Sequence, residues 1–210
     1  MEARNRPLPQ WFSRIESKQL TLPRFQRHEA WAPQQIESLL ETVIAGLPAG
    51  AVLVLEVAGR EPFASRSLVG APEKGDHVAE QLLDGQQRLT ALWRSLQDDY
   101  PDRSYFISLR PGDDQIGGDG YGVVSYARWK KDGKLFPIWC DRPAEVMERG
   151  LIPLSILAPG NRAENLSKQW TEEALGEDLK ARMQINDRIN DLRNRVAAFN
   201  LPFLWLGSDT

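Results

Sequence analysis

The sequence has a single cysteine, and this scarcity excludes whole classes of structure. Cys140 has no second cysteine to pair with, so the chain forms no internal disulfide. It also lacks partners at metal-ligand spacing, as do His28 and His77, so the sequence does not predict a zinc site. We interpret Cys140 as a structural residue, and its solitary thiol is typical of a reducing cytoplasm.

Long apolar runs are missing as well. The sequence has no stretch of roughly eighteen apolar residues, which is the length that a membrane-spanning helix needs. Residues 1–7 contain none of the apolar sequence that is typical of a secretion signal. We therefore predict a soluble, cytoplasmic protein with no membrane partner.

The chain has no excess of positive charge, and its formal net charge is −3 at pH 7. Non-specific affinity for nucleic acid comes chiefly from Lys and Arg side chains that neutralise phosphates. The acidic balance excludes a general DNA-coating protein. Any contact with nucleic acid must therefore be local or shared with a partner.

Four common catalytic motifs are absent. They are the phosphate loop G-x-x-x-x-G-K-[ST], the dinucleotide fingerprint G-x-G-x-x-G, the metal helix H-E-x-x-H and the nucleophile elbow G-x-S-x-G. If the protein binds a nucleoside triphosphate, it uses something other than a P-loop.

What the sequence does contain is an alternation of helix and strand patterns. With 41% apolar residues, the chain can bury a sizeable core as one domain or one and a half. Apolar residues recur at helical spacing over 33–47 and again from residue 86 to 96. The apolar run 51–57 predicts a central strand, and 20–22 and 81–83 predict shorter ones.

The second half has a less regular pattern. It predicts a strand at 105–109, a Gly- and Asp-rich loop at 111–120, a β-hairpin formed by 121–129 and 135–139, a long helix with apolar residues from Leu175 to Val196, and a returning strand at 203–206. The Asp132-Gly133 pair, which is typical of turns with positive φ, supports the hairpin. In the loop, Asp113, Asp114 and Asp119 could hold magnesium or form a solvated turn.

The stretch Asp84-Gly85-Gln86-Gln87-Arg88 is the first candidate site. A strand meets a helix here through a glycine, which lets a ligand approach the backbone closely. First-turn helix amides lack internal partners and favour an anion such as phosphate, and Arg88 suits an anion in the same place. The alternative is a capping box, in which Asp84 caps the helix and Gln87 completes the box without a ligand.

Arg24-Phe25-Gln26-Arg27 is the second candidate. It follows a short strand and supplies two guanidinium groups suited to phosphate. The alternative is a solvated surface turn. Trp31, a few residues later, could stack on a base or serve as a core anchor.

Three segments together resemble the N-terminal domain of GmrSD-type, modification-dependent restriction endonucleases. They are Leu22-Pro23-Arg24-Phe25-Gln26-Arg27 with Trp31, Gly46-Leu47-Pro48-Ala49-Gly50, and Leu82 to Thr90 with its Asp-Gly-Gln-Gln-Arg centre. They occur in the family's order and spacing over about the first hundred residues.

The resemblance implies an α+β fold similar to ParB and sulfiredoxin, a mixed sheet flanked by helices, with a β-hairpin insertion and a helical C-terminal part. Residues 1–110 would form the nucleotide-binding core, and 111–210 would complete or extend the same domain. The implied ligand is a nucleoside triphosphate with Mg. The implied catalytic residues are Asp84, Gln86, Gln87 and Arg88, and the implied nucleotide-binding residues are Arg24, Gln26, Arg27, Gly85, Arg88 and Thr90; none ligates a structural metal.

The resemblance also implies partners. The full-length protein would act on modified DNA and use a C-terminal HNH-type nuclease domain, in the same chain or in a partner subunit. Because the sequence stops soon after an apolar strand, we expect a truncated form or a longer natural protein.

Three functions remain open at this stage. The first is a nucleotide-binding, NTP-hydrolysing regulatory domain of a DNA restriction or anti-phage defence protein. The second is a DNA-binding or modification-sensing module without catalytic activity, in which the arginines contact phosphates and Trp31 or Trp129 stacks on a base. The third is a scaffold that only binds other subunits.

Overall fold

The computed structural model describes residues 1–109 and 121–207, with the side chains of residues 161 and 162 excepted. Its elements in chain order are β1 (Glu2–Pro7), α1 (Leu8–Glu16), β2 (Leu20–Pro23), α2 (Pro33–Ile44), β3 (Val52–Glu56), β4 (Ser65–Arg66), β5 (Glu80–Asp84), α3 (Gln86–Gln97), β6 (Arg103–Ser108), β7 (Gly122–Ala127), β8 (Trp129–Lys131), β9 (Lys134–Phe136), α4 (Pro143–Glu148), β10 (Leu151–Pro153), α5 (Asn161–Leu175), α6 (Leu179–Ala198) and β11 (Asn200–Leu206). Single 3-10 turns cover Ile138–Asp141 and Leu154–Leu157.

The main sheet has six strands in the order β1-β11-β3-β5-β2-β4. Two of its neighbouring pairs are parallel, β11 with β3 and β2 with β5, and the other three are antiparallel. Helices α2 and α3 pack against each other, and α2 and α1 each contact α6. The α+β class with a mixed sheet is thereby confirmed.

The strands predicted at 20–22, 51–57, 81–83 and 203–206 all lie in this sheet. The helices predicted over 33–47 and 86–96 are also present, as α2 and α3. The sequence did not predict β1, whose residues are mostly polar. Four of its six residues are exposed, and antiparallel pairing with β11 supplies its backbone hydrogen bonds. Such an edge strand has no apolar pattern to detect.

A second, antiparallel sheet has the order β10-β6-β7. The hairpin prediction was correct at its turn, since β8 and β9 pair around Asp132-Gly133. It was wrong for the longer run from residue 121, because β7 pairs with β6 instead. The loop of Asp113, Asp114 and Asp119, for which a magnesium site and a solvated turn were the alternatives, lies outside the described residues.

The predicted single helix from residue 175 onward is two helices. Gly176, with φ of 55°, ends α5, and the Asp178 carboxylate accepts from the Ala181 amide to begin α6. Leu179 and Met183, predicted to be on the apolar face, are exposed. The later residues of the pattern are buried, namely Ile189, Leu192 and Val196.

Both halves of the sequence contribute strands to the main sheet, since β11 lies between β1 and β3. The division at residue 110 stays a prediction.

Cys140 is buried, and burial raises the pKa of its thiol to about 11. No helix in the described part of the chain is both long enough and apolar enough to span a membrane.

Candidate functional site

The first two candidate segments meet at one edge of the main sheet. Strands β2 and β5 are neighbours and run parallel, so their carboxyl ends lie side by side. The segment Arg24–Arg27 follows β2, and the segment Asp84–Arg88 begins at the last residue of β5. Ligands of open sheets commonly bind beyond the carboxyl ends of the strands.

The turn 46–50, which is the remaining segment of the family resemblance, lies at the same edge of the sheet. It leads into β3, which is antiparallel to β5, so the start of β3 lies beside the end of β5. The Nη1 of Arg88 donates a hydrogen bond to the Ala49 carbonyl at 2.9 Å. A Cβ on Gly50 would lie 2.8 Å from that Nη1, and Gly50 has φ of 79°. Gly50 therefore leaves room for the arginine.

Gly85 is required by the fold itself. Its φ is 90°, and a Cβ would lie 2.3 Å from Cγ1 of Val52 on β3. The sequence interpretation, that this glycine is there to let a ligand approach the backbone, is therefore not needed to explain it. The residue makes the sharp turn from β5 into α3 against the neighbouring strand.

The capping-box alternative is wrong. Gly85 is the N-cap of α3, no side chain caps that helix, and Asp84 lies one residue too early. The Asp84 carboxylate is 73% exposed instead. The side chain of Gln87 binds a different segment, as described below.

The first turn of α3 has unpaired donors. The amides of Gln86, Gln87 and Arg88 precede the first internal hydrogen bond, which runs from Leu89 to the Gly85 carbonyl at 3.1 Å. No acidic residue occupies this turn. The side-chain nitrogen of Gln86 is buried without a hydrogen-bond partner in the described structure. The turn thus presents several donors and a partial positive charge.

A cavity of about 310 Å³ lies beside this turn. It is lined by Gln26, Arg27, Trp31, Leu83, Asp84, Gly85, Gln86, Gln87 and Arg88. The structure therefore brings together seven of the nine residues that the sequence analysis proposed as site residues.

The other two proposed residues lie elsewhere. Arg24 does not line the cavity, and its Nε donates to the Ser65 carbonyl at 3.3 Å. Thr90 is fully buried one turn along α3. Their roles in nucleotide binding stay predictions, without a contact to the cavity that supports them.

Arg88 is only partly engaged by the protein. Besides its bond to Ala49, its Nη2 lies 3.8 Å from Oδ2 of Asp84, too far for a hydrogen bond. The Arg88 side chain is 21% exposed and faces the cavity. Donors on its guanidinium group remain available to a ligand.

Gln26 and Gln87 hold the walls of the cavity in place. Gln26 donates to the Leu82 carbonyl on β5 at 2.6 Å. Gln87 donates to the His28 carbonyl at 3.1 Å and accepts from the Ala30 amide at 2.8 Å. These contacts favour a positioning role for Gln87, and its catalytic role stays a prediction.

A partly buried cluster, formed by Glu29, Arg94 and Tyr100, fixes the same loop from the side away from the cavity. Glu29 accepts from Arg94 at 2.5 Å and from the hydroxyl of Tyr100, and the Arg94 guanidinium lies 4.0 Å from the Tyr100 ring centre. Burial and the hydrogen bond to Glu29 raise the pKa of Tyr100 far above its usual value. The loop that carries Trp31 is therefore tied to α3 at three residues. Sequence reasoning missed this cluster because its members are widely spaced and form no motif.

Metal ligands are sparse at this edge. Across residues 1–109 and 121–207 no group of three His, Cys, Asp or Glu side chains lies close enough to hold a metal ion. Asp84 is the one carboxylate among the lining residues of the cavity.

The profile described as "GmrSD restriction endonuclease, N-terminal domain" matches residues 8–199. The chain belongs to this family. An uncharacterised protein of Methanocaldococcus jannaschii is 32% identical over 207 residues, an alignment that covers 90% of this chain and 33% of the relative. This GmrSD-family chain thus spans about a third of the length of that curated relative.

Proposed function

We propose that this GmrSD-family domain binds the phosphates of a nucleoside triphosphate in the cavity beside α3. The observation that carries the proposal is the combination of free first-turn amides, Arg27 and Arg88 around one cavity. Backbone amides at a helix start and arginine forks are the donors that proteins use for phosphate.

The proposed binding mode is similar to that of ParB and sulfiredoxin. In this mode a glycine-bearing turn between a strand and a helix holds the phosphates, and β5, Gly85 and α3 supply such a turn. Trp31 lines the same cavity. It also packs partly against the core, and the part of its ring that lines the cavity would stack on the base of any of the four common nucleotides.

We propose that the domain also hydrolyses the bound nucleotide. Water would attack the γ-phosphorus while the bond to the bridging oxygen breaks, releasing phosphate and a nucleoside diphosphate. Asp84 would either orient this water and accept its proton or help to hold magnesium, since its carboxylate is exposed at the cavity. Arg27 and Arg88 would stabilise the charge on the transferred phosphoryl group.

Magnesium fits this arrangement. Proteins commonly bind it through one or two carboxylates together with substrate phosphates, and Asp84 provides one carboxylate. When bound there, the ion would neutralise phosphate charge during hydrolysis.

Family membership supports a wider proposal for the whole protein. A GmrSD restriction endonuclease is a DNA-acting defence protein, so the nucleotide would regulate cleavage of modified DNA. The cleaving domain would be an HNH-type nuclease in a further part of the chain or in a partner subunit.

The decisive experiment is equilibrium titration of the domain with fluorescently labelled ATP, GTP, CTP and UTP in the presence of magnesium. We expect saturable binding of at least one nucleotide and its loss in Arg88→Ala. Arg27→Ala should weaken binding at least tenfold. Arg24→Ala is the matched control, because it removes the same group from a position outside the cavity.

Two results would overturn the proposal. One is no saturable binding to any of the four nucleotides by the folded domain. The other is an equal loss of affinity in Arg24→Ala and Arg27→Ala, since a surface-charge effect would not distinguish the two positions. Release of inorganic phosphate, measured in parallel and compared with Asp84→Asn, tests hydrolysis separately from binding.

A further inference from the structure

The β8-β9 hairpin concentrates positive charge in a chain that is acidic as a whole. Lys130, Lys131 and Lys134 are three of the seven lysines in the sequence, within five consecutive positions. All three are exposed. No ion pair joins any of them to another residue that the structure describes. This hairpin therefore presents unneutralised ammonium groups to solvent.

An aromatic groove lies beside the same hairpin. Its volume is about 830 Å³, and it is lined by four aromatic or proline side chains, one cation, one carboxylate and one alanine: Tyr126, Trp129, Pro137, Trp139, Arg149, Glu148 and Ala127. Trp129 is 52% exposed, and its ring stacks on that of Phe136 with 6.2 Å between centres and 15° between planes. Trp129 and the partly exposed Tyr126 both line the groove, and neighbouring exposed apolar side chains of this kind often mark a binding site.

The remaining walls of the aromatic groove are held rigidly. Tyr126 and Trp139 contact each other edge to face at 4.9 Å, and both pack on the buried Phe106 of β6 at 5.8 Å. The Arg149 guanidinium lies 4.5 Å from the Trp139 ring centre. Binding here would need little ordering of side chains, which favours affinity.

A buried arginine anchors the hairpin to the second sheet. Arg128 lies between β7 and β8, and its backbone amide donates to the Asp102 carbonyl at 2.7 Å. Its guanidinium group donates to Ser104 at 3.0 Å and to Asp141 at 2.5 Å. The lysines and the groove thus keep a fixed position relative to each other.

We propose that the hairpin and the aromatic groove bind single-stranded nucleic acid. Unpaired bases would stack on Trp129 and enter the groove, while the three lysines contact phosphates along the strand. Proteins that bind single strands without sequence preference combine these two features, stacking platforms and a positively charged track.

Charge and shape together favour this occupant over others. An acidic protein partner would account for the lysines but not for an open, stacked tryptophan. The bases of an intact duplex are paired and stacked on each other, so their faces are not available to an aromatic side chain. The groove shares no lining residue with the cavity beside α3, so this proposal does not depend on the proposed nucleotide site.

The test is fluorescence anisotropy of the domain with labelled oligonucleotides of one mixed sequence, supplied as single-stranded DNA, single-stranded RNA and blunt duplex DNA. We expect saturable, salt-dependent binding to a single strand at least tenfold tighter than to the duplex. The DNA and RNA arms show which sugar is preferred.

Two variants separate stacking from charge. Trp129→Ala should weaken binding by roughly tenfold or more, and Trp129→Phe should recover much of it, because stacking contributes to affinity with every base. The logarithm of the binding constant falls linearly with the logarithm of the salt concentration. Replacing Lys130, Lys131 and Lys134 together by Gln should make this slope less steep by about 2, the value expected for three phosphate contacts on a single strand.

Controls keep the result interpretable. Replacing Lys18, Lys168 and Lys180 by Gln changes the net charge equally, and these lysines are exposed elsewhere on the molecule. Arg88→Ala should leave oligonucleotide affinity unchanged, so failure of the nucleotide proposal cannot be mistaken for failure of this one. Circular dichroism verifies that each variant is folded.

Three outcomes would overturn the proposal. They are absence of binding to either single strand, preference for the duplex, and an equal effect of the hairpin and control lysine variants.

Discussion

Strand β5 has an arginine–carboxylate pair near each end, and the two pairs differ in almost every respect. At its start, Glu80 receives two hydrogen bonds from Arg6, at 2.7 and 2.8 Å, and both side chains are less than one-tenth exposed. At its end, Arg88 lies 3.8 Å from an exposed Asp84. Arg6 and Glu80 satisfy each other within the fold, whereas Arg88 and Asp84 are not hydrogen-bonded to each other and can contact a ligand.

The surroundings reinforce this difference. The Arg6 guanidinium also lies 4.3 Å from the ring centre of Trp11 and 4.5 Å from that of Phe203. Arg88 lies beside a cavity and contacts one carbonyl oxygen. A buried charge with all its partners contributes to the fold, whereas an incompletely paired arginine next to a cavity is suited to bind an anion. The following four predictions test this contrast through the free energy of unfolding.

The largest loss is expected when the buried pair is broken. Arg6→Met leaves the Glu80 carboxylate buried without its bidentate partner, so the free energy of unfolding should fall by about 3–5 kcal/mol. Urea denaturation measures this loss. The double variant Arg6→Met with Glu80→Leu should recover much of it, because two apolar side chains need no pairing.

Arg4→Met is the matched control for that experiment. Arg4 lies on the same strand and also pairs with a carboxylate, Glu2, but both groups are exposed. Its loss should be much smaller. A similar loss in both variants would mean that burial does not distinguish the two pairs.

The second loss is expected at the turn that opens the cavity. Gly85→Ala places a side chain at φ of 90° and against Val52, so it should cost more than the roughly 1–3 kcal/mol of backbone strain alone. Gly59→Ala is the control, since Gly59 has φ of 89° with open space around it. Thermal and urea unfolding compare the two, and equal losses would rule out the packing explanation.

A smaller loss is expected in the cluster behind the loop. Tyr100→Phe removes the hydroxyl that donates to Glu29, so the free energy of unfolding should fall by about 1–2 kcal/mol near neutral pH. The pKa of Tyr100 is raised in the folded state, so its ionisation favours the unfolded state once the pH exceeds its unfolded pKa of about 10.

The wild-type protein should therefore lose stability above pH 10 more steeply than Tyr100→Phe. Denaturation curves at pH 7, 9, 10 and 11 measure the difference between the two proteins. If that difference does not shrink as the pH rises above 10, burial and the hydrogen bond to Glu29 do not hold the phenol neutral in the folded state.

The smallest loss is expected at Arg88. Arg88→Ala removes one hydrogen bond to a backbone carbonyl, which should cost less than about 1.5 kcal/mol, although nucleotide binding is lost. Arg88→Lys keeps the charge without the planar fork and should restore binding only in part. A loss as large as that of Arg6→Met would assign Arg88 to the fold and end the contrast between the two ends of β5.

The same contrast explains how much the sequence could predict. The edge that carries the cavity was predictable because its residues are consecutive and follow strands with clear apolar patterns, so Gln26, Arg27 and Asp84–Arg88 were all identified. The Arg6–Glu80 pair was not, because its members are 74 positions apart and only the pairing of distant strands brings them together. Local pattern cannot encode such a contact.

Other differences have the same cause. Thr90 belongs to the motif by position, but helix periodicity turns it into the protein interior. Arg24 and Arg27 are close in sequence, and the bend after β2 sends only Arg27 to the cavity. The apolar pattern predicted that residues 121–129 form a strand but not that this strand pairs with β6, because periodicity does not specify a pairing partner.

The position of β11 in the main sheet has a consequence for synthesis on the ribosome. It inserts between β1 and β3, so the strand nearest the N-terminus has no sheet neighbour until about residue 206 has emerged from the exit tunnel. During translation, the backbone amides and carbonyls of β1 and of the adjoining edge of β3 lack the hydrogen bonds that β11 later supplies. A nascent chain paused before residue 200 would thus display two strand edges that chaperones or other chains could bind.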